Sequence, residues 1–339
     1  MRRALDRAAL LLVACFALAC GGPGEPDDPL PSWQEGPAKG AIVGFVGRVT
    51  TRGSPDYLSP EERVAVFDND GTLWSEQPVY FQVQLAIDRV DDLAPAHPRW
   101  RTEEPFRSVL AGDVEHALAG GERSVGALVA GTQSGMSEDE YADAVRAWAD
   151  SARHPRFGRR YRDLVYQPML ELLRYLRASG FTTWIVSGGD VSFMRPWAEE
   201  TYGVPRQQII GSMAGLRLDD RDGGAVLTRL PSLDFLDDGP GKVVAIDRII
   251  GRRPAMAFGN SDGDLEMLEW TMDGTGPRFA AIVHHTDATR EWAYDRESQV
   301  GRLSRALDVA RERGWTRVDM REDWRVIYPF ELGTSRTGQ

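Results

Sequence analysis

The sequence contains only two cysteines among its 339 residues, Cys15 and Cys20. Cys15 lies inside an N-terminal segment that we expect to be removed, so the mature chain keeps one cysteine and forms no internal disulfide. The fold must therefore be stabilised by its hydrophobic core. A hydrophobic content of 42% in a chain of this length is sufficient for one.

Basic residues are also few relative to acidic ones. The chain has 40 Lys and Arg against 51 Asp and Glu, which gives a formal net charge of −11. Nucleic-acid binding needs clustered basic side chains that neutralise phosphates, and no such stripe is present. We therefore expect no nucleic-acid partner.

Long hydrophobic runs are missing as well, since a membrane-spanning helix needs about 20 apolar residues. The clearest apolar run extends from Ala8 to Ala19, after three arginines and directly before Cys20. This arrangement is typical of an export signal. We predict a signal peptide over residues 1–19, a mature N-terminus at Cys20 and a location in the periplasm or cell envelope.

The residues Ala17 to Cys20 resemble a bacterial lipobox, in which the cysteine is lipidated. A lipidated Cys20 would be the only membrane contact of the protein, and the outer membrane is one candidate location. Ordinary signal peptidase would cut the same bond without lipidation, so that alternative stays open. Gly21 to Pro37 is rich in Gly, Pro and acidic residues, and we predict a flexible tether over residues 20–40.

Short apolar runs predict a sheet. Four candidate strands are Val64–Val66, Phe181–Val186, Ala255–Phe258 and Phe279–Val283. Three of them end in small and polar residues, as parallel strands do at the edge where ligands bind. Residues 211–230 predict further strands with a hairpin turn at Asp222-Gly223-Gly224, and residues 315–329 a closing strand or turn.

Residues 77–166 show helical periodicity and no convincing strand pattern. Val79, Val83, Ile87, Val90 and Ala94 form one apolar face. A later helix, Glu138 to Ala152, is preceded by Ser137 as N-cap, with Glu140 three residues on. We therefore predict a helical cap over residues 77–166, inserted into an α/β core made of residues 41–76 and 167–339.

Two carboxylates, Asp68 and Asp70, follow the first predicted strand, and Gly71 allows a sharp turn after them. The sequence Asp-Asn-Asp-Gly is also common in turns, and it begins like a calcium loop, although Gly71 comes too early for an EF-hand. The carboxyl end of a buried strand is where α/β proteins place their chemistry. The pair suits a nucleophile and a general acid around a divalent cation, as in phosphate ester cleavage.

Three further elements follow in chain order: Ser187 with two glycines, Lys242 after a Gly-Pro-Gly turn, and Gly259-Asn260 with Asp264. Taken alone, Ser187 is more often a helix N-cap and Lys242 a solvated surface residue. Other nearby cations, Arg248, Arg252 and Arg253, are alternatives to Lys242. The order of the elements, rather than any one of them, favours a functional site.

Together the four elements resemble the haloacid dehalogenase superfamily, in its phosphoserine-phosphatase-like branch with a helical C1-type cap. The resemblance covers about Val64 to His284 and implies a Rossmannoid three-layer α/β core with a mostly parallel sheet. It implies that Asp68 attacks phosphorus to form an aspartyl-phosphate, and that Asp70 protonates the leaving alcohol and then activates water. It also implies that the substrate phosphate is held by Thr72, Ser187, Gly188 and Lys242.

The resemblance further implies a Mg²⁺ ion held by Asp68, Asp70, Asn260 and Asp264. Asn260 departs from the family pattern, which has an aspartate there; an amide oxygen can ligate magnesium but brings no charge. Asp262 could act instead, so the choice among these three residues stays open. The five histidines form no metal-binding pattern.

The sequence thus predicts a Mg²⁺-dependent phosphomonoester hydrolase whose substrate is a small phosphorylated metabolite, similar to phosphoserine or phosphocholine. Two alternatives stay open. Asn260 motivates a non-catalytic envelope lipoprotein that binds phosphorylated ligands, and the same aspartyl-phosphate would also serve a phosphotransferase. Trp74, Trp100 and Trp148 could line a cap pocket, although core packing is the usual role of such residues.

Overall fold

The computed structural model describes residues 28–333. The predicted signal peptide and both cysteines lie outside the described residues. Seven strands form one sheet in the order β4-β3-β2-β1-β5-β6-β7, parallel except for the β3–β4 pair. The strands are β1 Val64–Phe67, β2 Thr182–Asp190, β3 Ile209–Arg221, β4 Gly224–Phe235, β5 Met256–Gly259, β6 Phe279–His284 and β7 Thr316–Asp319.

Helices cover both faces of this sheet. They are α1 Pro37–Thr50, α2 Phe81–Leu93, α3 Phe106–Leu110, α4 Val114–Leu118, α5 Glu122–Gln133, α6 Glu138–Ser151, α7 Gln167–Ala178, α8 Val191–Met194, α9 Ala198–Tyr202, α10 Pro240–Ala245, α11 Leu265–Met272, α12 Arg305–Arg313 and α13 Met320–Asp323. Within residues 28–333, no helix is long and apolar enough to span a bilayer.

The central strand β1 shows why the sheet has helices on both sides. All four of its residues are buried. Successive side chains of a strand point to opposite faces, so Ala65 and Phe67 join a core with α1 and α7 while Val64 and Val66 join a core with α10, α11 and α12. The predicted three-layer α/β fold with a mostly parallel sheet is confirmed.

The predicted tether over residues 20–40 is wrong for its described part. Leu30 and Trp33 are fully buried, and Trp33 Nε1 donates a hydrogen bond to the Pro168 carbonyl at 3.0 Å. Ser32 donates to the Glu171 carboxylate from its backbone N at 2.8 Å and its Oγ at 2.7 Å. The tether was predicted from the average composition of the segment, which does not show that two single apolar residues, Leu30 and Trp33, anchor it to the core. Helix α1 then begins at Pro37.

Between β1 and α7 the chain is helical, apart from isolated bridges. The predicted capping of α6 is confirmed, because Glu140 N donates to Ser137 Oγ at 3.1 Å and Ser137 N donates to a Glu140 carboxylate oxygen at 2.6 Å. Helices α2 to α5 share a small apolar core, whereas α6 packs into the main core. Trp74, Trp100 and Trp148 are buried, which is the core-packing role.

The predicted hairpin is also confirmed. Strands β3 and β4 pair antiparallel around the turn at Asp222 and Gly223, both of which have positive φ. The hairpin contacts the helical insert through Arg229, whose backbone N donates to the Met136 carbonyl at 2.8 Å and whose carbonyl accepts from Gly135 N at 2.9 Å. The insert and the sheet are therefore joined on the side of β4 as well as at the ends of the insert.

Candidate active site

The site lies at the carboxyl ends of three adjacent strands, β2, β1 and β5. Asp68 and Asp70 follow β1, Ser187 lies near the end of β2, and Asn260 follows β5. Because these strands are parallel neighbours, their ends meet at one edge of the sheet. The motifs that the sequence places far apart thus come together, with Lys242 brought in by α10.

Lys242 lies between two carboxylates. Its Nζ is 2.6 Å from Asp68 Oδ1 and 2.6 Å from Asp264 Oδ1, and its side chain is only 2% exposed. Burial lowers the pKa of Lys242, but the charges of Asp264 and Asp68 outweigh that effect and raise the pKa overall, so the lysine stays charged. Arg248 and Arg252, two of the alternatives, are exposed.

A tight turn places Lys242 there. A Cβ on Gly241 would overlap the Leu236 carbonyl. Only glycine therefore lets the backbone directly before Lys242 come so close to Leu236. The second oxygen of the nucleophile candidate, Asp68 Oδ2, accepts no hydrogen bond from residues 28–333. Asp68 therefore presents one neutralised oxygen and one free oxygen.

Asp70 has different partners from Asp68. Trp74 Nε1 donates to Asp70 Oδ1 at 2.8 Å, and Ser187 Oγ lies 3.5 Å from Asp70 Oδ2. Burial raises the pKa of Asp70, against the lowering effect of the Trp74 hydrogen bond and the Lys242 charge. A carboxyl group with a raised pKa can donate a proton at a pH where an ordinary aspartate cannot.

Ser187 is not a helix N-cap. Strand β2 continues to Asp190, and it is the Asp190 carboxylate that caps α8 by accepting from Ser192 N at 2.8 Å. Ser187 Oγ instead accepts from Gly189 N at 3.1 Å and faces Asp70. Gly188 is exposed, and its carbonyl accepts from Ser212 Oγ at 2.8 Å, so a fixed stretch of backbone is open to a ligand here.

Thr72 contacts Asn260 rather than an open space. Its Oγ1 donates to Asn260 Oδ1 at 3.1 Å, and its side chain is fully buried. A hydroxyl has one proton to donate. The prediction that Thr72 holds the substrate phosphate is therefore not supported by this geometry, because that proton is already used on Asn260.

Asp264 also differs from its predicted role. Its Oδ1 accepts from Lys242, and its Oδ2 accepts from Asn260 N at 2.9 Å, Ser261 N at 3.0 Å and Ser261 Oγ at 3.2 Å. Three of these four bonds end on Oδ2, and Oδ1 is paired with the Lys242 ammonium. Asp264 thus holds Lys242 and the loop after β5, a positioning role that the sequence did not predict.

Asp262 points away from the site. Its Oδ1 accepts from Ser304 N and Ala306 N, each at 2.9 Å, at the start of α12. Of the three residues of the fourth motif, Asp262 is thus turned towards α12, whereas Asn260 and Asp264 border the site. Within residues 28–333, no three or more His, Cys, Asp or Glu side chains form a cluster able to hold a metal ion.

The sequence reasoning missed two acidic residues beside the site. Glu76 is 1% exposed, and its Oε1 accepts from Asn260 Nδ2 and Tyr294 OH, each at 2.7 Å. Asp237 is fully buried, and both of its carboxylate oxygens lack a hydrogen-bond partner among the described residues. Burial raises the pKa of Asp237 to about 7. Neither residue belongs to a recognisable motif; only the structure reveals them.

A model of haloacid dehalogenase-like hydrolases matches residues 65–269. No curated protein matches the sequence. A conserved, functionally unknown protein from Anaerococcus prevotii is 16% identical, with a TM-score of 0.52 over 81% of this chain and 88% of the other. A protein of unknown function from Bordetella pertussis is 18% identical, with a TM-score of 0.49 over 76% of this chain and 99% of the other.

Proposed function

The chain belongs to the haloacid dehalogenase-like hydrolase family, and on that premise we propose that it hydrolyses phosphate monoesters through an aspartyl-phosphate on Asp68. The observation that carries the proposal is the separation of two carboxylates by their surroundings. Burial raises the pKa of both carboxyl groups, but Asp68 is paired with the Lys242 ammonium and keeps one oxygen free, whereas Asp70 is bonded by the neutral donor Trp74. Carboxylates in such different environments suit a nucleophile and a general acid.

In the proposed reaction, Asp68 Oδ2 attacks phosphorus, the bond from phosphorus to the ester oxygen breaks, and Asp70 gives its proton to the leaving alcohol. Asp70, now ionised, takes a proton from water as that water attacks the aspartyl-phosphate. Inorganic phosphate leaves, and both carboxyl groups return to their first state. Burial and the Asp264 charge raise the pKa of Asp68, and the Lys242 charge opposes them, so Lys242 favours the ionised form that attacks and would neutralise the transferring group.

The substrate phosphate would be held by Ser187 Oγ, the exposed backbone of Gly188 and the Lys242 ammonium. The helical insert would cover the rest of the substrate, which we propose is a small phosphorylated metabolite similar to phosphoserine or phosphocholine. We also retain export of the protein and lipidation of Cys20 as proposals from the sequence.

A Mg²⁺ ion would be held by oxygens of Asp68, Asp70 and Asn260. The donor set fits, because Mg²⁺ prefers oxygen ligands and is usually bound by one or two carboxylates together with several waters. The carboxylate oxygens of Asp68 and Asp70 and the side-chain carbonyl of Asn260 are such oxygens. When bound, the ion would supply positive charge to the phosphoryl oxygens. Asp264 is left out of this set because its oxygens bind the Lys242 ammonium and the backbone after β5.

The test is release of inorganic phosphate from p-nitrophenyl phosphate and from a panel of small phosphate esters, with and without Mg²⁺. The change Asp68→Asn should abolish turnover. The control variant Asp262→Asn changes an acidic residue that lies in the loop after β5 but points away from the site, and it should retain turnover. A folded wild-type protein that is inactive on the whole panel would refute the proposal. Tight ester binding without turnover would instead indicate a binding protein, and new esters formed with added alcohols a phosphotransferase.

A further inference from the structure

Glu76 lies directly behind Asn260 in the proposed metal centre. Its Oε1 accepts from Asn260 Nδ2 at 2.7 Å, on the side opposite to Asn260 Oδ1. The contact depends on two glycines, because a Cβ on Gly71 would overlap both side chains and a Cβ on Gly301 would overlap the Glu76 carboxylate. The backbone thus leaves room for a carboxylate at this place.

The carboxylate of Glu76 is buried without a cation. Both of its hydrogen bonds come from neutral donors, Asn260 and Tyr294, and both end on Oε1. Within residues 28–333, no Lys, Arg or His side chain forms an ion pair with Glu76. Burying a charge that has no counter-charge is costly, and burial accordingly raises the pKa of Glu76 well above its usual range. A cation bound nearby would offset that cost.

Glu76 also determines how the Asn260 amide is turned. The carboxylate accepts from the amide nitrogen, while Thr72 Oγ1 donates to the amide oxygen at 3.1 Å. A flipped amide would place its oxygen against the carboxylate and lose that bond, whereas the Thr72 hydroxyl could accept from the nitrogen instead. The Glu76 carboxylate therefore decides the orientation and keeps the Asn260 oxygen on the side away from itself.

We propose that Glu76 supplies the negative charge that the metal centre lacks at Asn260 and holds the Asn260 carbonyl towards the metal. The family pattern has an aspartate where this chain has Asn260, and the missing carboxylate is found one hydrogen bond behind it. Glu76 is a positioning residue, because it acts on the metal through Asn260. The inference rests on the metal centre of the proposed function.

The experiment measures Mg²⁺ binding by calorimetry in the absence of substrate, for the wild type, Glu76→Gln, Asn260→Asp and the double variant. Partners of metal ligands typically change affinity about 10- to 100-fold, so we expect Glu76→Gln to weaken binding at least about 10-fold. The double variant, which moves the carboxylate onto position 260, should recover most of the affinity. Glu171→Gln, the same change at another buried glutamate outside the site, should leave the affinity unchanged.

The stability of the metal-free protein separates this role from a merely structural one. Glu76→Gln removes a buried ionisable carboxyl group that has no cation beside it, so the metal-free variant should unfold at the same urea concentration as the wild type or a higher one. A structural role predicts the opposite. Unchanged Mg²⁺ affinity in Glu76→Gln would overturn the inference alone, as would failure of the double variant to recover affinity. A wild type that binds no Mg²⁺ would overturn the proposed metal centre together with it.

Discussion

Replacing Asp237 with asparagine should change how the stability of the protein depends on pH. Asp237 is fully buried in the loop before Lys242, and its carboxylate accepts no hydrogen bond from the described residues. Its backbone N donates to Ser212 Oγ, so the loop itself is held in place. The carboxyl group thus cannot reach solvent unless the loop unfolds. If it ionises, it does so in its buried position.

The magnitude follows from the two pKa values. Burial raises the pKa of Asp237 from an ordinary 3.8 to about 7. Between these values the folded state keeps the proton and the unfolded state loses it, so stability falls as pH rises, by about 1.4 kcal/mol per pH unit. From pH 4.5 to pH 7.5 the wild type should therefore lose about 3 kcal/mol through this group, a loss that asparagine avoids because it cannot ionise.

The assay is urea unfolding of both proteins at pH 4.5 and pH 7.5, followed by tryptophan fluorescence. The other buried acids titrate in both proteins, so their effect cancels in the difference. Asp234→Asn, a change of an exposed aspartate on β4, should show no such difference. If the wild type and Asp237→Asn differ equally at the two pH values, the reasoning is refuted.

Three other changes test further parts of the structure. Lys242→Met leaves two buried carboxylates without their cation, and it should lower the free energy of unfolding by about 3–5 kcal/mol in urea titrations; a loss below about 1 kcal/mol would contradict the buried ion pairs. Trp74→Phe removes the hydrogen bond that lowers the pKa of Asp70, so the alkaline limb of the kcat–pH profile should move to higher pH; an unmoved limb would argue against Asp70 as the acid. Trp33→Ala should cost about 3–5 kcal/mol if residues 28–40 belong to the core, whereas a true tether would show no change in the urea midpoint.

Local patterns were sufficient for much of the fold. Strands such as β1 and β5 are short apolar runs because both of their faces are buried, and polar residues mark their carboxyl ends. The start of α6 was also predictable, since the capping pair Ser137 and Glu140 lies within four residues of sequence. These signals are properties of a single segment, and a sequence shows them directly.

The parts that were missed or left open depend on contacts between distant segments. The sequence left residues 315–329 open between a strand and a turn, because Thr-Arg-Val-Asp has no apolar run; β7 is a strand because it pairs with β6. Asp264 has the spacing of a metal ligand, yet the lysine that reaches it comes from another loop and, with the neighbouring backbone, uses its oxygens. Glu76 matters only because Asn260, 184 residues later, lies beside it.

The pairing of Trp33 with Trp324 has a consequence for the order of folding. Gln34 N donates to the Asp323 carbonyl at 2.7 Å and Arg325 N donates to the Ser32 carbonyl at 2.8 Å, across 291 positions between Gln34 and Arg325. A ribosome makes the first partner long before the second, so these two hydrogen bonds cannot form until nearly all the described chain has been synthesised. Contacts of such long sequence separation form slowly. Completion of this pairing should therefore be among the last events of folding.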